Sequence, residues 1–492
     1  MMRELEIKKV VPLVEEFLQV TSAEDDDGVL WSAIRYNANN AWYVNTNNGN
    51  VNNNNSYNRY VCVPCPSVDF LFPKLLEAEE ACYKNKHHSL TAARVHYHLS
   101  ELFYYTQYIC EHGLRVGRSK CFVLDYPVPR EIFCAQYFDR NIHHLIAPFM
   151  TDIAERQHQA CGNVSHGNRT GHSAFTAAVS VQKALRKMTD GWTKKAWVAS
   201  QDYSGFFMSI PRQLAAEKFR KLTESYNEPF LTDVVCLYIQ AEPTGGCIKL
   251  SPESAWRMIA PNKSLFSAKP NHGLPIGNFP SQIEANLYRT EVDAGISKIE
   301  GVEQVVFVDD RMLCSADKEL LKHALDVAEQ ESAKLGLVVN RRKRYFQPAD
   351  KGIKFCGYVI KCDRIYISNR VVHACKYMVA LYDGKDSAKE KAELSRRINS
   401  YFGLMSHTRS YNIQKKIASR VLELHKTLCF VRRRSHLVCQ QKRRFTPKYQ
   451  SIQNINGFKQ YDNSLFWRTC HRRKRWYSCR QLAQRLYEYE SR

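Results

Sequence analysis

The sequence predicts an α+β fold, and three observations predict it. Two apolar strand-like runs, Val305-Val306-Phe307-Val308 and Arg311-Met312-Leu313-Cys314, flank the adjacent acids Asp309 and Asp310. A further run, Trp197-Val198-Ala199-Ser200-Gln201, ends at Asp202 and is followed by a turn with glycine and aromatic residues. Around these runs lie longer segments with helical spacing of apolar side chains. Strands that feed acidic turns, mixed with helices, point to a sheet domain carrying a cation site.

The elements follow in chain order. Residues 7–20 read as a short amphipathic helix. From Asn37 to Asn58 twelve of twenty-two residues are Asn, interleaved with Trp42, Tyr43 and Tyr57. Asn is poor in helix and strand interiors, so this stretch reads as a low-complexity loop or linker, with room for short turns or strands. Residues 68–112 are helical in pattern, with Phe70, Phe72, Leu75 and Leu76, then Leu99, Leu102, Phe103 and Tyr108. Residues 120–126 look like a strand; 140–160 and 173–188 are helical. Residues 196–210 read as strand, turn and helix start, and 302–314 as two strands about the acids. Residues 318–335 look helical, 353–368 like a hairpin, and 387–440 helical and very basic. The end, 441–492, is basic and aromatic.

Composition narrows the partners. At roughly 150 residues per domain, 492 residues make two to four units. Lys and Arg number 71 against 49 Asp and Glu, an excess of +22. That excess favours a polyanion, either nucleic acid or an anionic membrane surface. No apolar run approaches the ~18 residues of a membrane span. The acidic start, Met1-Met2-Arg3-Glu4-Leu5-Glu6, lacks a signal-peptide core, so a cytoplasmic protein without membrane contact is expected. The 17 cysteines are scattered, as befits small buried residues in a reducing compartment. Cys62 and Cys65 form a close pair, but Cys470 and Cys479 are too far apart to complete a zinc ribbon, so zinc is the minor reading there.

The acids carry the chemistry. Adjacent carboxylates between buried strands are costly unless a cation compensates them. Asp309-Asp310 alone also reads as an ordinary polar turn, where Asp is common. Asp202 changes the balance, because two strand-end acids a hundred residues apart meet only through a sheet. Such a meeting makes a two-metal site. One ion lowers the pKa of an attacking hydroxyl and the other stabilises a leaving pyrophosphate. Mg²⁺ (two ions, with Mn²⁺ as the alternative) suits carboxylate and phosphate oxygens.

These segments resemble the palm motifs of reverse transcriptases. Gly273-Leu274-Pro275-Ile276-Gly277-Asn278-Phe279-Pro280-Ser281-Gln282 resembles the motif between the two acid sites. Leu335-Gly336-Leu337-Val338-Val339-Asn340-Arg341-Arg342-Lys343 resembles the one that follows, and Phe355-Cys356-Gly357-Tyr358 the primer grip. Upstream, Pro129-Arg130-Glu131-Ile132-Phe133, Asp139-Arg140-Asn141-Ile142-His143-His144 and Arg169-Thr170-Gly171-His172-Ser173 resemble fingers motifs of bacterial members. The last of these has His and Ser where Lys and Gly are usual. The resemblance runs from about residue 68 to 440. It implies a right-hand polymerase fold: fingers and palm over 68–374 with an antiparallel palm sheet, and a helical thumb over 375–440. An N-terminal helix and Asn-rich arm (1–67) precede it, and a basic extension (441–492) follows.

Ile276-Gly277-Asn278 and Ser281-Gln282 replace the usual Gln-Gly and Ser-Pro, a variant similar to diversity-generating retroelement enzymes. Arg397-Ile398-Asn399-Ser400-Tyr401-Phe402-Gly403 resembles their thumb motif. Ile276 lacks the hydrogen bonds of Gln, and losing one such contact weakens discrimination by ~1 kcal/mol, several-fold in rate. Ile276 as a mere packing residue is the alternative. The stretch from Trp31 to Tyr60 resembles a translated variable repeat, which leaves template relic, translated template and structural arm all open.

The resemblance also implies roles. Asp202, Asp309 and Asp310 are the metal ligands and catalytic acids. Phe207 is a steric gate against a 2′-hydroxyl, or simply core. Arg130 and Arg169 are triphosphate contacts, or structural ion pairs. Ile276, Gly277 and Gln282 lie at the nucleotide, and Lys343 lies beside the triphosphate, or is one charge of a solvated run. Arg432, Arg433 and Arg434, with Arg472, Arg473, Lys474 and Arg475, track RNA phosphates, while Trp467 and Trp476 stack on bases. His143 and His144 receive no catalytic role. Expected partners are a template RNA or structured noncoding RNA, dNTPs and the cDNA product, with an accessory protein or a second copy as additional candidates. Too few residues follow the thumb for an RNase H domain. Three functions stay open: error-prone copying in mutagenic retrohoming, the same chemistry in an antiphage system with a noncoding RNA, and a non-catalytic RNA-binding scaffold.

Overall fold

The computed structural model describes residues 63–441, apart from 85, 87, 88, 125–127, 362, 386, 434 and 435. The expected helix at 7–20, the Asn-rich stretch, Cys62, Arg434, Trp467, the 472–475 run and Trp476 lie outside the described residues. The chain divides into two compact units between Ser368 and Asn369. No helix among the described residues is long and apolar enough to cross a membrane.

The first unit opens with three helices, α1 (Val68–Tyr83), α2 (Leu90–Tyr97) and α3 (Leu99–His112). Two antiparallel strands follow, β1 (Lys120–Leu124) and β2 (Arg130–Cys134). The long helix α4 (Tyr137–Ala160) comes next. Its buried stripe, Ile142, Ile146, Met150 and Ile153, recurs every three or four residues and so lies along one face. Helix α5 (Ala174–Met188) starts at a capping box, in which Ser173 and Thr176 satisfy each other's backbone N–H.

Strand β3 (Trp197–Gln201) leads into the short α6 (Phe206–Ser209), then α7 (Arg212–Thr223) and α8 (Pro229–Gln240). Strand β4 (Ile248–Lys249) adds to β1 in parallel, and α9 (Glu253–Trp256) follows it. Helices α10 (Phe279–Tyr288) and α11 (Thr290–Ser297) precede the hairpin of β5 (Val302–Phe307) and β6 (Asp310–Ser315). Helix α12 (Lys318–Lys334) begins where the Asp317 carboxylate accepts from the N–H groups of Glu319 and Leu320. Strand β7 (Tyr345–Pro348) completes a four-stranded antiparallel sheet in the order β5-β6-β3-β7. The open sheets and their helices bear out the mixed α and β reading.

Two stretches differ from the sequence expectation. The hairpin expected at 353–368 is a three-strand meander of β8 (Ile353–Phe355), β9 (Tyr358–Ile360) and β10 (Ile365–Ile367). Strands of three residues are too short to display a period. In the second unit, α13 (Asn369–Ala380), α14 (Ala388–Met405) and α15 (Tyr411–Leu424) are helical as expected. The basic end of the 387–440 segment is instead an antiparallel hairpin of β11 (Leu428–Arg433) and β12 (His436–Gln441). Leu437 and Cys439 are buried with a two-residue period that the neighbouring arginines obscure. On α14, Asn399 accepts from the Cys439 N–H at 2.7 Å and donates to the Cys439 carbonyl at 2.9 Å, which docks the hairpin on the helix.

Glu284 on α10 is 1% exposed, and its Oε2 accepts no hydrogen bond. Burial alone pushes its carboxyl up to about 8. The fold therefore favours the protonated acid. Its stabilising contribution is full below the unfolded-chain pKa of about 4.3 and is lost as pH rises through about 8. Glu284→Gln should flatten this part of the pH profile. In urea unfolding, the gap between variant and wild type should grow by up to ~1.4 kcal/mol per pH unit across that window. Parallel profiles would contradict the assignment.

Candidate active site

The site is built on β6, which pairs with β5 on one side and β3 on the other. The register sets Phe307 opposite Asp310 and Gln201 opposite Arg311. Asp202, one residue beyond β3, therefore lies alongside the β5–β6 turn. That turn has two residues, Val308 and Asp309. Val308 has φ of 56°, which belongs to the primed turns that match hairpin twist. Such turns favour glycine, and a β-branched residue there stores roughly 1–3 kcal/mol of strain.

The segment before α5 holds this turn in place. Ser165 bridges Val306 in parallel; the Val306 N–H donates to the Val164 carbonyl at 2.9 Å, and the His166 N–H to the Val306 carbonyl at 2.8 Å. Gly167 then passes over the turn. A methyl group there would sit 2.7 Å from Val308 Cγ2 and 2.8 Å from its backbone nitrogen. The Asn286 amide of α10 donates to the Gly167 carbonyl at 2.8 Å.

A second pairing brings in the base. The Ser204 N–H donates to the Val338 carbonyl at 2.8 Å, and the Asn340 N–H to the Asp202 carbonyl at 2.7 Å. This connection carries Lys343 to Asp202, where Nζ donates to Oδ2 in an ion pair. The contact raises the Lys343 pKa, and the charges of Asp310 and Asp309 add to the shift. One ammonium thus feels all three acids. Asp202 is only 7% exposed, whereas Asp310 is exposed. Burial raises the Asp309 pKa, and the Asp202 carboxylate raises it further; Arg130 and Lys343 partly offset this.

The Asp202 carboxylate thus adds to the cost of charging Asp309, and a divalent cation would relieve that cost. Among the described residues no group of three or more His, Cys, Asp or Glu forms a ready-made metal cage. Two carboxylates still fit Mg²⁺, which is commonly bound through one or two of them together with substrate phosphates.

The apolar side of the site gathers two more expected residues. Phe207 on α6 and half-buried Ile276 both pack on the cluster of Cys121, Phe133, Met208 and Leu265. The Phe207 carbonyl accepts from the Leu274 N–H at 2.9 Å, and the Phe133 N–H donates to the Ile276 carbonyl at 2.8 Å. Gly277, with φ of 117°, runs so close to β2 that a Cβ would lie 2.5 Å from the Phe133 carbonyl oxygen. Gln282 lies in the first turn of α10, half-buried. Arg130 opens β2 with its side chain exposed.

Arg169 is placed differently. Its side chain is 3% exposed, and its guanidinium donates to Glu155 at 2.6 and 3.0 Å, to the Ser165 carbonyl at 2.6 Å and to Asn163 at 2.8 Å. This is the ion-pair alternative, not a group presented to phosphate. The neighbouring guanidinium in turn lowers the Glu155 pKa to about 2. His143 is a core residue, edge-on to Tyr238 and driven by burial down to about 3. Arg432 and Arg433 are exposed on β11 of the second unit, with Arg432 over the Tyr411 ring at 4.9 Å.

Sequence reasoning passed over the bracing residues Ser165, Gly167 and Asn286. The one signal was Gly167 just ahead of a basic motif, and a lone glycine does not say what it packs against. Gly167→Ala should lower the unfolding free energy by about 1–3 kcal/mol, because backbone and not a pliable side chain must yield. Gly403→Ala on α14, where an added methyl meets nothing within 4 Å, is the comparison and should cost nothing. Equal urea midpoints for the two variants would contradict the close approach.

Residues 129–360 match the model of the reverse transcriptase (RNA-dependent DNA polymerase) family. No curated protein matches the chain in sequence. Among solved structures it is similar to apo telomerase of Candida tropicalis truncated from its C-terminal domain, at 12% identity and TM-score 0.40, over 51% of this chain and 55% of that one. It is also similar to telomerase of Candida albicans in complex with a fragment of telomeric RNA, at 10% identity and TM-score 0.39, over 63% of this chain and 55% of that one. The chain thus spans little more than half the length of those proteins. The matched stretch holds β2 through β9, with Asp202, Asp309, Asp310 and Lys343 inside it, and it is similar to the reverse transcriptase family over that length.

Proposed function

We propose that the protein is an RNA-directed DNA polymerase that extends a primer on an RNA template with dNTPs, releasing pyrophosphate. The observation that carries this reading is the meeting of Asp202 and Asp309 across the β3–β6 register, with Lys343 paired to Asp202. Asp202 and Asp309 would hold Mg²⁺, with Asp310 as the third acid at the turn. The bound ions supply Lewis-acid activation of the primer hydroxyl and charge neutralisation at the leaving phosphates.

The side chains do the rest. Asp202 and Asp309 keep their carboxylates side by side because the sheet holds them there. Lys343, on its long stem, can leave Asp202 for the triphosphate and give a proton or a hydrogen bond to the departing pyrophosphate oxygen. Arg130, exposed at the start of β2, adds a second cation for the phosphates. Phe207 stands against the sugar and excludes a 2′-hydroxyl. Ile276 offers the nucleotide an apolar surface where a polar one would police pair geometry, and this favours error-prone copying of the kind that serves a diversity-generating retroelement. The four-stranded sheet supports the palm reading, and the second unit supports a thumb over 375–440. Arg432 and Arg433 are suited to RNA phosphates. A cytoplasmic setting and a partner RNA complete the proposal.

The double variant Asp309→Ala with Asp310→Ala should lose RNA-templated dNTP incorporation altogether, measured by primer extension with Mg²⁺. Equal incorporation by variant and wild type would end the enzyme reading. Phe207→Ala should keep DNA synthesis and raise ribonucleotide incorporation by roughly tenfold or more, since ~1.4 kcal/mol of steric discrimination corresponds to a factor of ten. Unchanged sugar selectivity would return Phe207 to plain core packing. Sequencing of co-purified nucleic acid would identify the template and product.

A further inference from the structure

A buried ionic triad lies directly behind the acids. Arg311 follows Asp310 on β6 and is 1% exposed; Arg289, just before α11, is 0% exposed; Asp293 on α11 is 1% exposed. The Asp293 carboxylate accepts from Arg289 Nη1 at 2.6 and 2.8 Å and from Arg311 Nη2 at 2.7 Å. Arg311 Nη1 also donates to Gln304 of β5 at 2.9 Å, and Gln304 donates to the Asp293 carbonyl at 2.7 Å. Arg289 Nη2 reaches Ser165 Oγ at 2.8 Å.

As a stability device this triad is poor. One carboxylate faces two guanidiniums, and the Nε atoms of both arginines lack an acceptor. Replacing a buried triad of this kind with apolar side chains is often neutral or stabilising, so its presence calls for another reason. Its geometry supplies one. Side chains alternate along β6, so Arg311 lies on the face opposite Asp310, and Arg311 is buried where Asp310 is exposed. Arg311 ties β6 to β5 and α11, and Arg289 ties α11 to the segment that braces Val306 and the Val308 turn. The triad thus grips the Asp309–Asp310 hairpin from both sides.

We infer that Asp293, bridging Arg289 and Arg311, is a positioning residue that fixes the carboxylates of Asp309 and Asp310 for catalysis. The inference rests on the polymerase reading above. A loosened turn leaves nucleotide binding nearly intact but misplaces the acids, so the loss falls on kcat and on cation binding.

The test compares Asp293→Asn, the triple variant Arg289→Met with Asp293→Leu and Arg311→Met, and Ser165→Ala. Folding is followed by circular dichroism and cooperative unfolding. Cation binding is followed by electron paramagnetic resonance of free Mn²⁺ without nucleotide. The triple variant should unfold at or above the wild-type midpoint, yet lose roughly 10- to 100-fold in kcat and in Mn²⁺ affinity, with KM for dNTP changed less than about threefold. Asp293→Asn should show the same split, and Ser165→Ala a smaller loss of about threefold in kcat. A folded triple variant with wild-type kcat and Mn²⁺ affinity overturns the inference. If the triple variant does not fold, Ser165→Ala decides, and wild-type values for it overturn the inference. Absence of DNA synthesis by the wild-type protein would sink the polymerase reading instead, while the Mn²⁺ comparison would still decide the positioning role.

Discussion

Strand β6 is hydrogen-bonded on both edges, and the site depends on that double pairing. Its register against β5 fixes a two-residue turn, and its register against β3 fixes how far Asp202 stands from that turn. A slip of one residue on either side would invert the alternation of β6. Arg311 and Asp310 would exchange faces, and the carboxylates would part. Met312, Leu313 and Cys314 are all buried, so both faces of β6 are packed and a slip would disturb the packing on each of them.

That spacing carries an electrostatic cost which the fold offsets in parts. Asp309 is burdened by burial and by Asp202. Lys343 answers with one mobile charge, and Arg130 adds another from β2. Neither is a fixed, buried counterion, which is compatible with the cation and triphosphate proposed for the site. The strained Val308 adds a mechanical load, and the close passage of Gly167 with the Arg289–Asp293–Arg311 triad opposes it. Rigid support behind a loosely neutralised front suits the metal binding proposed for this site.

The apolar wall has a different logic. Phe207 and Ile276 come from distant segments, yet they rest on the same small cluster with Phe133. Backbone hydrogen bonds from Leu274 and Phe133 lock these segments together, so Ile276 packs on the same cluster as Phe207. Its packing role is therefore compatible with the nucleotide discrimination proposed for it. A change at Phe133 or Met208 would be felt at both residues.

The sequence by itself determined a good deal. Continuous apolar runs on either side of Asp309-Asp310 and a strand ending at Asp202 made the paired acids legible, and helical periods located α1 through α5 and α12 closely. These signals are local, because a residue's period is set by its own neighbours in the chain. At 353–367 a hairpin was legible but its third strand was not, since three-residue strands show no period, and at 428–441 arginines masked the hairpin. Arg169 shows the limit most clearly: a basic residue in a phosphate-contact motif reads as exposed until Glu155, Ser165 and Asn163 are found around it. The grip of Asp293 on Arg289 and Arg311, and the need for glycine at 167, likewise came only from the tertiary structure. Those facts depend on which side chains meet across strands and helices far apart in the chain, and spacing along the sequence does not record that meeting.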